Sequence, residues 1–528
     1  MRVLLVWPNR AGFGFKPIGL SLLSAMLKSQ GHDVRLFDTT YIELGSGGLS
    51  TARNRIRIFK PVDTSAMDLD KQHLDLRQET ISVLQDFCPE VVGVSALSDE
   101  VSVGLEVSRF VKEWNPETPV VWGNKAATMA PERVLAQPDV DYVCVGEGFE
   151  FMTSFVEAVA AGSDPTVLPN LVWKDDAGAP HRNPLRPYYQ HLDSLPFLDW
   201  SIFDHRHFCK PFDGQLYVGG DHMICWGCPY SCTYCINQAY RALYKGAGGS
   251  YLRRYGVERI MEELRYLVDH WDVAFFKYHD EDFCLKPLEY FRTLAREYHD
   301  HVGVPFTAMA NARNITPEKV ALLKQMNCVS VSIGIETANE HLRRDILKRR
   351  ETKEDIVRAV HMLNDADIRT SGFNMIGVPH ETRETVLETI ALNREAEVDC
   401  SDPGFFYPLE GTELYELSVK QGLFSPSADH GYDDVNPSLN LPGITHDELV
   451  ALRERFVLYV KLPPEYLPYV TRSEADDEVG RNLTDALLRI YDSAVLMNDG
   501  RWDSARSVED DLRLLAGVAG ASLTQGAA

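Results

Sequence analysis

Strand-like and helix-like patterns alternate over residues 1–160 of the chain. Short apolar runs predict strands, and apolar residues spaced three and four positions apart predict the helices between them. The predicted strands are Arg2–Trp7, Asp33–Asp38, Val91–Ser95, 120–122 and 142–145, and the predicted helices lie near Ile18–Ser29, 78–87 and Val101–Trp114. This order predicts a parallel sheet with helices on both faces, whose ligands bind at the carboxyl ends of the strands.

Two further stretches lack a clear period. A polar insertion covers roughly residues 45–70, and residues 161–220 are rich in proline, aspartate and aromatic side chains. The composition of the second stretch predicts a hairpin and a connecting segment.

The alternation returns between Met223 and Tyr407. The predicted strands there are 223–226, 273–278, 305–309, 329–335, 369–375 and 404–407, and the helices between them include 258–269, 287–298, Pro317–Gln325 and 354–363. This succession predicts a partial (β/α)6 barrel of the TIM type, with its chemistry at the carboxyl ends of the strands. Residues 446–459 and 485–497 are then predicted to be helical.

We therefore expect an α/β protein in four parts. They are a Rossmann-like domain over 1–160, a linker and hairpin over 161–220, a partial barrel over 221–424 and a helical C-terminal region over 425–528. A length of 528 residues and a hydrophobic content of 45% agree with several packed domains.

The charge and the apolar runs narrow the class of protein further. No apolar run reaches the ~18 residues of a membrane span, and the N-terminus lacks the pattern of a signal peptide. We expect a soluble cytoplasmic protein without a membrane span. With 53 basic and 77 acidic residues the formal charge is −24, which repels phosphate backbones and makes nucleic acid an unsuitable main partner.

Four of the ten cysteines crowd into one short run, Cys225, Cys228, Cys232 and Cys235. Thiolates in such numbers suit an iron–sulfur cluster or zinc. In a zinc site the two cysteine pairs are usually separated by a dozen or more residues, and here three residues separate them. The spacing favours Cys228, Cys232 and Cys235 as three ligands of a [4Fe–4S] cluster that keeps one iron free.

The run Cys228-Pro-Tyr-Ser-Cys-Thr-Tyr-Cys235 resembles that of the radical S-adenosylmethionine (SAM) enzymes. The resemblance implies that the free iron binds the amino and carboxylate groups of SAM. It further implies that an external one-electron reductant, such as flavodoxin or ferredoxin, drives release of a 5′-deoxyadenosyl radical. Tyr234 is expected near the adenine.

Four later segments resemble the same family in the same order. The acidic turn at Asp280 and Glu281 is expected near the SAM amino group, and Glu336 of Gly334-Ile-Glu-Thr337 is expected to contact SAM. Asn374 and Gly377 lie in a turn that resembles the one flanking the adenine, and 408–412 matches a Pro-x-x-Gly-Thr turn.

The run departs from the family at one cysteine. Relatives often have Ser-Arg-Gly-Cys where this chain has Cys225-Trp-Gly-Cys228. We interpret Cys225 as a bystander, with a redox thiol or a group near the substrate as alternatives.

The N-terminal region resembles the cobalamin-binding half of cobalamin-dependent radical SAM enzymes. Its first turn lacks the G-x-G-x-x-G spacing of a nicotinamide or flavin site. Glycines at strand ends let the backbone approach a corrin closely. The resemblance predicts cofactor contacts from Gly19, Ser95, Gly123, Gly146, Glu147 and Gly148.

Two departures from the family pattern concern this cofactor. No Asp-x-His-x-x-Gly occurs, so no histidine is offered as lower cobalt ligand. Asn124 and Ala126 stand where the family's frequent Gly-Gly-x-His-x-Thr has its second glycine and its histidine.

Together these features imply a cobalamin-dependent radical SAM enzyme with a small-molecule or natural-product substrate. The expected activity is methyl transfer to an unactivated carbon through the 5′-deoxyadenosyl radical and methylcobalamin. The alternatives are a cobalamin-dependent cyclase or rearrangement enzyme without methyl transfer, and a zinc-stapled binding protein without catalysis.

Overall fold

Two seven-stranded sheets organise the chain. The computed structural model describes residues 1–10, 12–44, 56–64, 74–426 and 436–520. Residues 45–55 and 65–70 of the predicted polar insertion lie outside the described residues. Among the described helices, none is long and apolar enough to cross a membrane.

The first sheet has the strand order β2-β1-β3-β4-β5-β6-β7. Its strands are β1 (Arg2–Trp7), β2 (Asp33–Asp38), β3 (Val91–Ser95), β4 (Val120–Gly123), β5 (Tyr142–Cys144), β6 (Leu171–Lys174) and β7 (Pro180–Arg182). Its helices are α1 (Ile18–Ser29), α2 (Leu76–Phe87), α3 (Val101–Trp114), α4 (Asn124–Met129), α5 (Pro131–Leu135) and α6 (Phe149–Ala160). The first five strands are parallel, and the β6–β7 hairpin extends the sheet, with β6 antiparallel to both β5 and β7.

The central strand β1 is buried on both faces. Val3 and Leu5 belong to the apolar cluster that includes residues of α1 and α6, whereas Leu4 and Val6 belong to the cluster with residues of α2 and α3. A strand covered on both faces must be apolar at every position, which is why this run was readable from the sequence.

The second sheet is a partial barrel with the order β16-β15-β14-β13-β12-β9-β8. The strands are β8 (Cys209–Phe212), β9 (Gln215–His222), β10 (Cys225–Trp226), β11 (Arg253–Arg254), β12 (Phe275–Tyr278), β13 (Phe306–Ala310), β14 (Cys328–Glu336), β15 (Arg369–Ile376) and β16 (Cys400–Phe405). Six of its strands are parallel, β8 pairs antiparallel with β9, and β10 and β11 form a separate short ribbon. The predicted α/β fold is thereby confirmed.

Helices cover the outside of this sheet. They are α7 (Ile236–Leu243), α8 (Val257–Trp271), α9 (Leu288–His301), α10 (Pro317–Gln325), α11 (Lys353–Asp365), α12 (Arg383–Glu395) and α13 (Glu413–Lys420). The predicted start of α10 is confirmed: the Thr316 side chain accepts a hydrogen bond from the Lys319 backbone N–H, and Pro317 occupies the first turn.

The first barrel strand differs from the prediction. The first barrel strand is β9 and not the predicted 223–226. The apolar pattern misses β9 because its last four residues are two glycines, Gly219 and Gly220, and two buried polar residues. A Cβ at Gly220 would lie 2.5 Å from the Phe276 ring, so a side chain is excluded there. Asp221 and His222 are 0% and 2% exposed, which a search for apolar runs cannot anticipate.

The last barrel strand also begins earlier than predicted. The range 404–407 was expected, but β16 starts at Cys400 and includes the buried polar residues Ser401 and Asp402. Helices α7, α12 and α13 were not predicted.

The C-terminal region covers the barrel edge at β16. Its helices are α14 (His446–Lys461), α15 (Leu467–Arg472), α16 (Glu478–Ala494) and α17 (Val508–Ala519). Arg453 of α14 donates to the Pro403 carbonyl at 3.0 Å, and its guanidinium lies 4.9 Å from the Phe405 ring centre. The predicted helix at 485–497 begins earlier, at Glu478, after an Asp477 cap.

Candidate active site between the two sheets

The cysteine loop is held at its start by one buried carboxylate. Asp280, at the end of β12, accepts hydrogen bonds from the backbone N–H groups of Ile224 and Cys225, each at 2.9 Å. The Lys286 ammonium pairs with the same carboxylate at 2.5 Å, and both side chains are fully buried. Asp280 therefore anchors the backbone before the loop, and its oxygens are committed to protein groups.

Three of the four clustered thiols share one environment. Cys228, Cys232 and Cys235 are partly exposed and interact electrostatically with one another. Burial raises the pKa of Cys228 to about 12 and that of Cys232 to about 11, so both are protonated until a metal displaces the proton.

Cys225 lies apart from these three thiols. It is buried at 6% exposure, and burial raises its pKa to about 11. The charges that act on it are Lys286 and Asp280 rather than the neighbouring cysteines.

The donor set of the loop fits a [4Fe–4S] cluster with three protein ligands. Such a cluster gives each cysteine its own iron atom, so the thiols need not converge on one point. Among the described residues, no three His, Cys, Asp or Glu side chains converge to hold a single ion. A four-cysteine zinc site would require Cys225, which faces Asp280 and Lys286 instead.

A partly buried hydrogen-bond network fixes Tyr234, the aromatic residue between the last two cysteines. Tyr234 Oη donates to Glu336 Oε1 at 3.1 Å, and Arg349 Nη1 donates to Tyr234 Oη at 2.7 Å. Arg349 also pairs with Glu336 at 3.2 Å and with Glu351, and its Nη2 donates to the Gly334 carbonyl at 2.7 Å. Burial raises the pKa of Glu336.

Arg349 is a site residue that the sequence did not identify. Glu336 ends β14 in the left-handed conformation (φ 59°), which turns its carboxylate towards Tyr234. Residues 343–350 contain several basic residues without a periodic pattern. Nothing in the local sequence therefore distinguishes Arg349 as the residue that reaches this network.

The two carboxylates of the acidic turn, Asp280 and Glu281, differ in their burial. Asp280 is buried under the loop, whereas Glu281 is exposed and interacts electrostatically with Cys228 and Cys235. Of the two residues predicted near the SAM amino group, Glu281 is the one whose side chain is exposed.

The turn predicted to flank the adenine is held by hydrogen bonds to other groups of the protein. The amides of Asn374 and Asn393 bond reciprocally, at 2.6 and 3.1 Å. Gly377 has φ 83°, and its N–H donates to the buried Glu381 carboxylate. The side chain of Asn374 is therefore engaged within the protein, although the residue lines the cavity described below.

In the N-terminal domain, Ser95 and Gly123 end two adjacent parallel strands. Ser95 Oγ accepts from Asn124 Nδ2 at 3.2 Å. Asn124 has φ 73°, so it keeps a backbone conformation that glycine adopts easily and asparagine tolerates. A Cβ added at Gly123, or at Gly19 in the first turn of α1, meets no atom within 4 Å.

The segment 146–148 packs against the barrel instead. A Cβ at Gly146 would lie 2.0 Å from the Tyr244 hydroxyl. Glu147 pairs with Arg253 at 2.6 Å and its N–H donates to Tyr244 Oη at 2.8 Å, while Gly148 precedes α6. These contacts explain the segment as a joint between the sheets, and its predicted role in cofactor binding stays a prediction.

The carboxyl edges of both sheets line one cavity of about 370 Å³. The first sheet contributes Leu97, Ser98, Asp99, Lys125, Ala126, Met129, Ala130 and Arg133, and the barrel contributes Tyr234, Ile236, Glu336, Asn374, Met375, Gly404, Phe405, Phe406, Tyr407, Leu409 and Glu410. Of the predicted site residues, Tyr234, Glu336 and Asn374 line this cavity, which lies where parallel sheets place their ligand sites.

Two family models match parts of the chain. The model of the Radical SAM superfamily matches residues 224–392, and that of the B12 binding domain matches residues 58–156. The first range contains the cysteine loop, Glu336 and Asn374, and the second contains Ser95, Gly123 and Lys125.

Similar proteins span nearly the whole chain. An uncharacterized methyltransferase of Pyrococcus horikoshii is 24% identical over 478 residues, which is 88% of this chain and 94% of that protein. An anaerobic magnesium-protoporphyrin IX monomethyl ester cyclase of Rubrivivax gelatinosus is 23% identical and covers 85% of this chain and 75% of its own.

A solved structure shares the fold. The radical S-adenosylmethionine methyltransferase TsrM from Kitasatospora setae, with cobalamin and a [4Fe–4S] cluster bound, superposes with a TM-score of 0.60 at 17% identity. The match covers 86% of this chain and 81% of that structure.

Proposed function

The chain belongs to the cobalamin-dependent radical SAM enzymes, and we propose that it is a methyltransferase that acts on an unactivated carbon of a small molecule. The observation that carries the proposal is the cavity between the carboxyl edges of both sheets, which Tyr234 and Ile236, the two sequence neighbours of Cys235, line. The [4Fe–4S] cluster, SAM and cobalamin supply the radical and methyl-transfer chemistry when bound.

The residues of the chain hold and orient these groups. Cys228, Cys232 and Cys235 would ligate the cluster. Tyr234, fixed by Glu336 and Arg349, would position the adenosine part of SAM, because its hydroxyl is locked by two hydrogen bonds.

The opposite wall of the cavity would receive cobalamin. Ser95 and Gly123 lie at adjacent strand ends, and Gly123 leaves the backbone uncovered by any side chain. Met129, Met375 and Phe405 line the same cavity, and their apolar surfaces would exclude water from the reacting groups.

The first experiment measures the cluster and its activity. Protein reconstituted anaerobically with iron and sulfide is expected to turn brown and to form 5′-deoxyadenosine from SAM with dithionite. Protein that binds no iron, or that is colourless and carries zinc, would overturn the proposal. Flavodoxin or ferredoxin replacing dithionite tests the proposed external reductant.

The second experiment distinguishes methyl transfer from the alternative. The similarity to the Rubrivivax cyclase, at nearly the same identity as the methyltransferase relative, favours a cyclase as second candidate. A product heavier than the substrate by one methylene unit indicates methylation, and a product without that gain indicates cyclisation or rearrangement.

A further inference from the structure

The cysteine loop borders two different cavities. Tyr234 and Ile236 line the cavity between the sheets, whereas residues 229–232 line a second cavity of about 710 Å³. The two cavities share no lining residue. Cys232, one of the three proposed cluster ligands, therefore borders a space that is separate from the proposed site of SAM and cobalamin.

The loop is exposed to solvent at the second cavity and is held there in a fixed shape. Pro229 and Ser231 are exposed. The Arg241 guanidinium donates to the carbonyls of Pro229 and Tyr230 at 2.6 and 2.8 Å and to Ser231 Oγ at 2.7 Å. A molecule in solution can thus reach an ordered edge of the loop next to Cys232 without entering the cavity between the sheets.

The charge of the second cavity is opposite to that of the whole chain. Its lining contains six basic and three acidic residues, whereas the chain contains 53 and 77. The six basic residues lie within 343–353, between the end of β14 and the start of α11, and they are Arg343, Arg344, Lys348, Arg349, Arg350 and Lys353. We call this space the basic cavity. A local basic surface on an acidic protein attracts acidic partners and repels basic ones.

Two cations of the basic cavity are exposed and unpaired. Within the ranges that the structure describes, the charged groups of Arg350 and Lys353 form no ion pair, and both residues are exposed. Arg344 and Lys348 pair with acidic neighbours at 3.4 and 2.5 Å, and Arg349 is bound within the Tyr234 network. Arg350 and Lys353 can therefore meet the carboxylates of a partner without breaking an existing pair.

We propose that the basic cavity docks an acidic one-electron carrier protein of the flavodoxin or ferredoxin kind, which reduces the cluster. The inference rests on the proposed function, in which SAM, cobalamin and substrate occupy the cavity between the sheets. Electron tunnelling decreases steeply with distance, so a protein donor has to approach a cluster ligand closely, and Cys232 borders the basic cavity. One electron leaves the reduced carrier and enters the cluster, so the carrier is oxidised by one electron and the cluster is reduced by one.

The test compares a protein carrier with a small one. In reconstituted full-length protein, Arg350→Glu/Lys353→Glu reverses both free charges of the basic cavity. With flavodoxin kept reduced by NADPH and its reductase, the KM for flavodoxin in 5′-deoxyadenosine formation should rise about tenfold or more, because attraction becomes repulsion. With electrochemically reduced methyl viologen, a small cation, the rate should fall by less than about twofold. Added salt should raise the KM for flavodoxin in wild-type protein, because it screens the attraction.

Arg481→Glu/Arg489→Glu provides the matched control. Both arginines are exposed on α16, neither lines either cavity, and the double variant changes the net charge by the same amount. Its KM for flavodoxin should stay within about twofold of wild type. An equal rise in the control would overturn the proposal, since net charge alone would then explain the effect. So would an equal loss with flavodoxin and methyl viologen in the Arg350/Lys353 variant, since these residues would then serve SAM binding or stability.

The outcome is separable from that of the proposed function. If wild-type protein forms 5′-deoxyadenosine with methyl viologen and the Arg350/Lys353 variant keeps its KM for flavodoxin, the docking role alone is removed. The same conclusion follows if methyl viologen drives the wild-type reaction and neither flavodoxin nor ferredoxin does. Wild-type protein that forms no 5′-deoxyadenosine with any reductant removes the proposed function and this inference with it.

Discussion

The two sheets meet at two charged places that differ in how their charges are used. At the first, the fully buried Asp221 of β9 accepts from Lys210 Nζ at 2.9 Å and pairs with Lys16 Nζ at 3.4 Å. His279 Nε2 lies 2.8 Å from the same carboxylate. At the second, at the carboxyl ends of β4 and β12, the exposed Lys125 and Glu281 have no hydrogen-bond or ion-pair partner for their charged groups within the described ranges.

The charges at the buried place stabilise one another and join the N-terminal domain to the barrel. Burial alone would raise the pKa of Asp221, but the ammonium groups of Lys210 and Lys16 hold this pKa well below its usual range. Burial lowers the pKa of Lys16 to about 8, which the Asp221 charge opposes. Lys16 lies three residues before Gly19, a predicted cobalamin contact, and its side chain ties the N-terminal domain to the barrel.

The comparison separates charges that join the domains from charges available to a ligand. Buried charges must be paired within the protein because desolvation is costly. Exposed charges at the strand ends need no such partner. Substitutions at the two places should therefore affect different properties, folding at Asp221 and ligand binding or turnover at Lys125 and Glu281.

The largest expected effect is on turnover at the cysteine loop. Cys232→Ala should reduce 5′-deoxyadenosine formation to background, because the two thiolates that remain cannot hold a cluster that requires three cysteine ligands. Cys225→Ala is the control, and it should retain iron and activity since Cys225 faces Asp280 and Lys286. Loss of iron in the Cys225 variant as well would mean that the loop uses all four cysteines.

The next effect concerns stability at the buried place. Asp221→Asn should lower the unfolding free energy by about 3–5 kcal/mol, because it leaves two buried ammonium groups without a counter-charge. Thermal unfolding compares it with Glu281→Gln, which should change stability by less than about 0.5 kcal/mol. Similar melting temperatures for both variants would contradict the distinction between the two places.

A smaller effect is expected at the Tyr234 network. Arg349→Met removes the donors to Tyr234 and Gly334 and leaves the partly buried Glu336 carboxylate without its cation, at a cost of about 2–3 kcal/mol. Arg350→Met, at an exposed neighbouring position, should be nearly neutral. The measurement is the urea midpoint of each variant, and equal midpoints would show that the network contributes nothing to stability.

The smallest effect is a pH dependence from the turn at Gly377. Burial raises the pKa of Glu381 from 4.5 to about 8, so the folded protein holds a proton that the unfolded chain has lost between these values. Stability from this group is complete below pH 4.5 and decreases as pH rises towards 8. Between pH 6 and 9 the unfolding free energy of Glu381→Gln, measured by urea denaturation, should fall less than that of wild type, by a difference of at least about 1 kcal/mol. Parallel curves would contradict the prediction.

The order of elements and the cysteine loop were predictable from the sequence. Strands such as β1 and helices such as α3 follow from apolar patterns, because burial of those faces is a property of neighbouring residues. The strands β9 and β16 were misplaced because they contain buried polar residues. The partners of Asp221, His222 and Ser401 lie in other elements.

The sequence by itself determined which residues could ligate a cluster, since three cysteines within one loop are close whatever the rest of the chain does. Only the tertiary structure decided that Asp280 supports the loop while Glu281 is exposed, that Arg349 joins the Tyr234 network, and that Lys125 lines the cavity. Those roles depend on distances between residues far apart in the chain. Such distances are set by how the two sheets pack, and no local pattern records them.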